Sequence, residues 1–124
     1  MSPAEIQTAL DHETGSEQLY RHSLARDLVF TSGVHHMREL CNAFWLVDAI
    51  ASHVQHSKAQ IPDLQFQMWK LAVKDQVGIL TCGDGNDKIV TIQEIGFTDF
   101  PLEEISFYCV PYHTGFILML TTEY

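Results

Sequence analysis

Positive charge is scarce in this sequence. Its 124 residues include 7 Lys and Arg against 16 Asp and Glu, which leaves a net charge of −9. Proteins bind the phosphate backbone of nucleic acids through clustered Lys and Arg, and the basic residues here do not cluster. We therefore expect no direct binding to nucleic acid and none to an anionic membrane surface.

Long apolar runs and a targeting signal are also missing. No run of apolar residues approaches the roughly 20 that cross a bilayer as a helix. The N-terminus, MSPAEIQTAL, has neither the basic start nor the apolar core of a secretory signal peptide. The sequence thus predicts a cytoplasmic protein without a membrane partner.

Cysteine is sparse. Cys41, Cys82 and Cys109 are odd in number, widely spaced and surrounded by apolar residues, which predicts reduced, buried thiols. The functional alternative is a nucleophile activated by a histidine, and it requires a partly exposed, electropositive setting. The sequence around the three cysteines shows no such setting.

The sequence does contain one long periodic segment, TSGVHHMRELCNAFWLVDAIASHVQH, from Thr31 to His56. At 100° per residue, most of its apolar side chains fall in one arc, which predicts a single amphipathic helix over residues 33–56. Thr31 or Ser32 is the expected N-terminal cap. The side chains predicted to face the core are those of Met37, Leu40, Phe44, Val47, Ala51 and Val54.

Trp45 and Leu46 lie outside this arc, so a second surface is expected to cover that side of the helix. Exposed apolar patches that include a Trp often mark association sites. Trp45 and Leu46 are therefore the candidate interface residues. The favoured interpretation of this patch is a cover supplied by the N-terminal segment of the same chain, because a Trp that lies along a surface does not need a partner.

After the helix, the hydrophobic period changes from 3.6 to 2. A shift of apolar phase at Met68 and Trp69 predicts a β-bulge or a strand buried on both faces. The last segment is apolar without alternation, which predicts a central place in the sheet or a strand that is covered on both faces. Five strands are predicted, separated by turns such as DGN, and they cover residues 64–74, 77–82, 88–95, 104–112 and 116–122.

The predicted fold class is α+β, with an antiparallel sheet of about five strands (residues 64–122) packed against one long helix (33–56). We expect residues 1–124 to form one domain. Ser2, Pro3 and Glu5 predict a short N-terminal helix with a capping box, within an otherwise irregular docking segment, residues 1–32. The outer sheet face is predicted to be so apolar that this segment or another subunit covers it.

Four residues suggest chemistry. Tyr20, Arg21 and His22 are adjacent, and Asp48 lies at the border of the apolar helical arc. They could supply a proton donor, an anion clamp, a general base and an orienting carboxylate. The structural alternative is an Arg–Asp pair that fastens the N-terminal segment to the helix, and it is favoured because adjacent strand residues point in opposite directions.

Two histidines suggest a metal. His53 and His56 are three residues apart on the predicted helix, a spacing that can share an ion. No Cys or carboxylate accompanies them at helical spacing, and two ligands rarely hold zinc. We therefore predict no metal site and no cofactor.

The C-terminal part of the chain has charge of one sign. From Ile89 to Tyr124 there is no Lys or Arg. Such a surface could steer a basic partner or imitate nucleic acid toward a DNA-acting enzyme, and the alternative is solubility. The acidic residues are Glu94, Asp99, Glu103, Glu104 and Glu123.

Several segments carry a family resemblance: TGSEQLYRH (14–22), FTSGV (30–34), AFWLVDAIASH (43–53), FQMWKL (66–71), DGN (84–86), TDFPL (98–102) and LMLTTEY (118–124). They resemble a family of small, uncharacterised bacterial domains, found in cyanobacteria and in some cases on mobile elements. The resemblance covers nearly the whole chain and implies no activity, so it transfers no catalytic residue. Where family members have an acidic residue before the glycine of FTSGV, this chain has Ser32, which still caps a helix.

Three functions follow from these observations. The first is a non-enzymatic protein-interaction module, a homodimer or a binder of another protein, that uses Trp45 and Leu46 or the outer sheet face. The second is a small enzyme or ligand-binding domain with Tyr20, Arg21, His22 and Asp48 around a pocket. The third, which a mobile-element setting would favour, is an acidic antagonist of a DNA-acting enzyme. The sequence favours the first, without an enzymatic activity.

Overall fold

A computed structural model describes residues 2–13, 18–56, 66–86 and 88–124 of the chain. The described residues form three α-helices: α1 (Pro3–Asp11), α2 (Ser32–Leu40) and α3 (Phe44–His56). They also form seven strands and a final 3₁₀ turn, Thr121–Glu123. The strands are β1 (Leu19–Arg21), β2 (Leu28–Thr31), β3 (Gln67–Lys74), β4 (Val77–Gly83), β5 (Ile89–Ile95), β6 (Glu104–Tyr112) and β7 (Gly115–Leu120).

All seven strands belong to one sheet, in the order β1-β2-β7-β6-β3-β4-β5. Strands β3 to β7 pair with one another in four antiparallel ladders, as predicted. Strand β2, in contrast, runs parallel to β7. The prediction of about five strands was therefore too low, and the sheet is mixed. The two additional strands have only 3 and 4 residues, too few to show an alternating pattern.

Helix α1 begins with the predicted capping box. The Ser2 hydroxyl accepts the Glu5 N–H at 3.2 Å, and the Glu5 carboxylate accepts the Ser2 N–H at 3.1 Å. These hydrogen bonds to Ser2, led by the backbone one, hold the pKa of Glu5 below its usual value. Ile6 and Leu10 are buried, so α1 is fastened to the core. No helix in the described part of the chain has the length and apolar character needed to cross a membrane.

The single helix predicted over residues 33–56 is wrong, because the chain breaks between Leu40 and Phe44 into α2 and α3. Asn42 adopts a left-handed φ of 51°, which Asn tolerates better than most residues. Its N–H bonds the Glu39 carbonyl at 3.3 Å, and the next N–H, of Ala43, bonds the Arg38 carbonyl at 2.8 Å. This pair of bonds is a Schellman motif, which ends a helix.

The break reverses the orientation predicted for two side chains. Leu46, predicted to face a partner, is fully buried in the core. Phe44, predicted to face the core, is 46% exposed. Its ring lies 4.6 Å from the guanidinium carbon of Arg38, a cation–π contact that stabilises this outward position. Leu46 therefore offers no surface for an interface.

Strand β3 alternates regularly, so the bulge predicted near Met68 and Trp69 is wrong. Gln67, Trp69 and Leu71 are buried, while Met68 is half-buried on the other side. The sheet is irregular instead where β4 meets β5, between Cys82 and Gly83. Strand β7 lies between β2 and β6, which confirms the central position predicted for the last strand.

The N-terminal segment was predicted as a possible cover for the outer sheet face, but its described residues, 2–13 and 18–31, do not fold across that face. Strands β1 and β2 continue the sheet beyond β7, while α1 contacts α2 and buries Ile6 and Leu10 in the shared core. On the outer face, three rings pack together: Phe66 and Tyr108 have centroids 4.9 Å apart, and Tyr108 and Tyr124 have centroids 5.0 Å apart. The C-terminal residue thus shields part of that face.

Candidate functional site

His22 and Asp48 meet in the folded chain. His22 follows β1 and is 95% buried, and its Nε2 lies 2.8 Å from the Asp48 Oδ1 on helix α3. The other ring nitrogen, Nδ1, accepts the backbone N–H of Leu24 at 3.2 Å and that of Ala25 at 2.9 Å. His22 therefore links the β1–β2 turn to the helix that packs over it.

These contacts assign the tautomer of His22. A backbone N–H can only donate, so Nδ1 carries no proton, and Nε2 carries the proton that is donated to Asp48. A general base needs a free lone pair within reach of a substrate proton. The lone pair of the unprotonated Nδ1 already accepts two backbone N–H groups. His22 therefore has the contacts of a structural histidine.

The remaining two members of the predicted pocket lie elsewhere. Arg21 pairs with Val29 in the strand register and is on the opposite side of β1 from Tyr20 and His22. Its guanidinium donates to the Arg26 carbonyl, and it lines a cavity of about 60 Å³ with Asp27 and Tyr112. The predicted Arg–Asp pair is thus replaced by a His–Asp pair.

Tyr20 lies on the same side as His22 but serves packing. Its ring stacks on His35 at a centroid distance of 4.3 Å and lies 5.7 Å from Phe30. Its hydroxyl donates to the Gln18 side chain at 3.1 Å. The structure therefore brings together two of the four predicted side chains and leaves Tyr20 and Arg21 with other partners.

Trp45, the other residue predicted at an interface, is half-buried. Its ring packs edge-on against Phe100, with centroids 6.5 Å apart. The loop of the TDFPL segment, residues 98–102, thus covers this side of α3. Neither the N-terminal segment nor a second subunit is required for that purpose.

Of the two candidate metal ligands, only His53 has a side chain that the structure describes. His53 Nε2 lies 2.6 Å from the Gln93 side-chain oxygen, and its ring packs near Trp69 at 5.6 Å. The side chain of His56 lies outside the described residues. Within the described ranges, no group of three or more His, Cys, Asp and Glu side chains is placed to hold a metal ion.

The three cysteines are free and buried, as predicted. Burial raises the pKa of the Cys41 thiol to about 11 and that of Cys82 to about 12. Burial, with the neighbouring Cys82, raises the pKa of Cys109 further. A raised pKa leaves little nucleophilic thiolate at neutral pH, so these thiols do not resemble catalytic cysteines.

Two of the five C-terminal acidic residues have intramolecular partners. Glu104 pairs with Lys70 at 3.3 Å. The Glu123 carboxylate accepts the Thr31 hydroxyl at 2.6 Å, the Leu120 N–H at 3.0 Å and the Gly33 N–H at 3.3 Å. Glu123 therefore places negative charge at the N-terminus of α2, where the helix dipole favours it. The hypothesis of an acidic antagonist stays a prediction.

Gly33 is required by this arrangement. A Cβ at position 33 would collide with the carboxylate of Glu123. Thr31 caps the same helix by accepting the Val34 N–H at 3.3 Å. The FTSGV and LTTEY segments of the family resemblance thus form one structural unit, in which the C-terminal turn holds the start of α2.

The β4–β5 end of the sheet carries the most exposed apolar surface. Among the described residues, ten large apolar side chains are exposed, and five of them lie on β4, β5 or the loop that follows. Ile79 and Ile92 are diagonal neighbours on one face, because Thr81 pairs with Ile92 and Ile79 pairs with Glu94. The five are Val77, Ile79, Ile89, Ile92 and Phe97.

The sequence patterns did not single out this surface. The strand IVTIQEI has apolar residues in both phases and neither Lys nor Pro, two residues that commonly protect an edge strand from pairing. The signal was therefore present, but it identifies an exposed apolar edge only once β5 is known to be the last strand of the sheet.

The fold and these surfaces define a class: a mixed-sheet α+β domain with β5 as the last strand at one end of its sheet. Residues 4–124 match the model of DUF6876, a family of unknown function. The chain belongs to this family, which confirms the resemblance to an uncharacterised family. No curated protein and no solved structure matches the chain.

Proposed function

We propose that this domain is a non-enzymatic protein-interaction module that associates with a second copy of itself. The observation that carries the proposal is the cluster of exposed apolar side chains at the β4–β5 end of the sheet. Ile92 is 69% exposed and Ile89 is 52% exposed. Exposed apolar groups gathered at one end of a domain favour association.

The chemistry-bearing residues support the same proposal. His22 has both ring nitrogens engaged within the chain, and the thiols of Cys41 and Cys82 are buried with raised pKa values. Catalysis by acid, base or nucleophile needs such groups to be accessible to a substrate. Their contacts here instead contribute to the stability of the fold.

A second copy is the favoured occupant because β5 is compatible with itself. Its only charged residue is Glu94, and a two-fold axis away from that residue keeps the two carboxylates apart. Such isologous contacts, in which the same surface serves both subunits, are the commonest kind in homodimers.

Sedimentation equilibrium of the purified chain tests this proposal. We expect a species of twice the 14.1 kDa chain mass at micromolar concentration, in reversible exchange with the monomer. A strictly monomeric chain up to concentrations of several hundred micromolar would contradict it.

A further inference from the structure

The outer edge of β5 has backbone groups that the described residues do not pair. Strand β5 is the last strand of the sheet, and β4 is its neighbour on one side. In the described part of the chain, no strand lies on the other side. An unpaired edge presents N–H and C=O groups that can bond a further strand.

The sequence of β5 suits antiparallel pairing with itself. Ile92 is the central residue of the seven in β5, so an antiparallel pair centred on it overlaps the two strands along their whole length. An antiparallel pair centred on Ile92 places Ile92 opposite Ile92 of the second copy. It also places Thr91 opposite Gln93 of the second copy.

Charge disfavours one alternative arrangement. A two-fold axis at Glu94 would put two carboxylates opposite each other, which is destabilising. The axis at Ile92 keeps the two Glu94 carboxylates apart, and it places the most exposed side chain of β5 against its own copy. The single irregularity of the β4–β5 ladder lies between Cys82 and Gly83, opposite the start of β5, so the ladder is regular from Thr91 to Ile95.

We infer that two copies of this chain pair their β5 strands antiparallel about a two-fold axis at Ile92, so that one sheet continues into the other. This inference rests on the proposed self-association and gives it a surface and a register. Backbone hydrogen bonds along β5 supply the pairing, and the Ile92 contact, flanked by Ile79, supplies apolar burial.

Ile92→Lys and Leu24→Lys form a matched pair of variants. Both replace an exposed apolar side chain, since Leu24 is 80% exposed in the β1–β2 turn, and both change the net charge by the same amount. In the inferred dimer, Ile92→Lys places two ammonium groups opposite each other. We expect it to weaken dimerisation at least about tenfold in sedimentation equilibrium, while Leu24→Lys dimerises like the natural chain.

The outcomes separate this inference from the proposed function. Equal dimerisation of Ile92→Lys and the natural chain would overturn the β5 edge and leave self-association standing. Equal weakening by both variants would show that the loss is not specific to position 92 and would also overturn the β5 edge. A natural chain that stays monomeric would overturn the proposed function itself.

Disulfide trapping tests the register without relying on a disruptive substitution. Across an antiparallel pair, opposite Cα atoms lie about 4.5 to 5.5 Å apart, within the range that a disulfide spans. The natural cysteines are buried, so they give little background. We expect Ile92→Cys to form a covalent dimer under mild oxidation and Leu24→Cys to form none. Equal yields from the two variants would overturn the register.

Discussion

The two edges of the sheet are protected to very different degrees. Strand β1 has 3 residues and ends at the exposed Arg21. His22 follows directly, and its ring accepts two backbone N–H groups of the β1–β2 turn. Strand β5 has 7 residues, two of them exposed isoleucines, and no Lys, Arg or Pro. Natural sheets commonly blunt an edge with short strands and positive charges. The β1 edge has both devices, and the β5 edge has neither.

The comparison shows where this chain places its polar chemistry. Around β1 and β2, the polar side chains of His22, Asp48, Thr31 and Glu123 are engaged in hydrogen bonds within the chain. Along β5, four of the seven side chains are apolar, and no strand of the described residues pairs with its outer edge. Residue types that suggest an active site in the sequence thus form hydrogen bonds within the chain near one edge, and the proposed association uses the other edge.

The largest expected effect concerns the thiol beneath the β5 edge. Burial raises the pKa of Cys82 to about 12, so at pH 8 this thiol has far less of the reactive thiolate form than an exposed thiol has. We expect all three cysteines to react with Ellman's reagent at least about a hundredfold more slowly in the native chain than in urea. Fast reaction of Cys82 alone would indicate that the β4–β5 end opens without global unfolding.

The next prediction concerns the hydrogen bonds that His22 makes beside β1. His22→Ala leaves the Leu24 and Ala25 N–H groups without their acceptor, and we expect a loss of about 2–3 kcal/mol in the free energy of unfolding measured with urea. His22→Asn retains an acceptor near Nδ1, whereas His22→Gln retains a donor toward Asp48. Because the Asp48 side chain is 62% exposed, the Asn variant should be the more stable of the two.

Two results would contradict this account of His22. One is a ¹⁵N spectrum that shows the Nδ1–H tautomer. The other is a Leu24→Ala variant that loses as much stability as His22→Ala, since the Leu24 side chain is exposed and its N–H is retained. We expect that control to change the free energy of unfolding by less than about 0.5 kcal/mol.

A smaller effect is expected where the C-terminal turn holds α2. Gly33→Ala displaces the Glu123 carboxylate, and we expect it to reduce the free energy of unfolding by about 1–2 kcal/mol. In a Glu123→Ala background, the same Gly33→Ala change should be neutral or stabilising, because Ala is the better helix former. Equal costs in the two backgrounds would show that Gly33 and Glu123 are not coupled.

The smallest effect is the response of association to salt. Each chain has a net charge of −9, so two copies repel each other over long range. Salt screens that repulsion. Raising NaCl from about 0.05 to about 0.5 M shortens the Debye length about threefold, so it should tighten dimerisation a few-fold. Weaker dimerisation at high salt would show that opposite charges hold the dimer together, in place of the β5 edge.

Local patterns predicted the later strands well because each depends on its own alternation. Strand β6 runs from Glu104 to Tyr112 as predicted, and β4 and β5 begin or end within one residue of their predicted bounds. The break at Asn42 was missed because the apolar period continues across it, although Asn is a residue that commonly ends a helix. Strand β2 was not predicted to join the sheet, because its pairing with β7 joins residues far apart in the chain.

The site was predicted only in part for a similar reason. His22 and Asp48 were identified as candidates, but their direct contact depends on how the β1–β2 turn packs against α3. Glu123 and Thr31 are 92 positions apart, and no local pattern relates them. The β5 edge required the strand order, which the sequence does not give.

Hydrogen exchange at the two edges tests the central claim most directly. Amide exchange is followed in β1 and β5 at protein concentrations below and above the dimerisation midpoint. We expect the β5 amides that face away from β4 to become protected as the concentration rises, while exchange in β1 stays constant. Exchange in β5 that does not depend on concentration, in a chain that does dimerise, would contradict pairing through this edge.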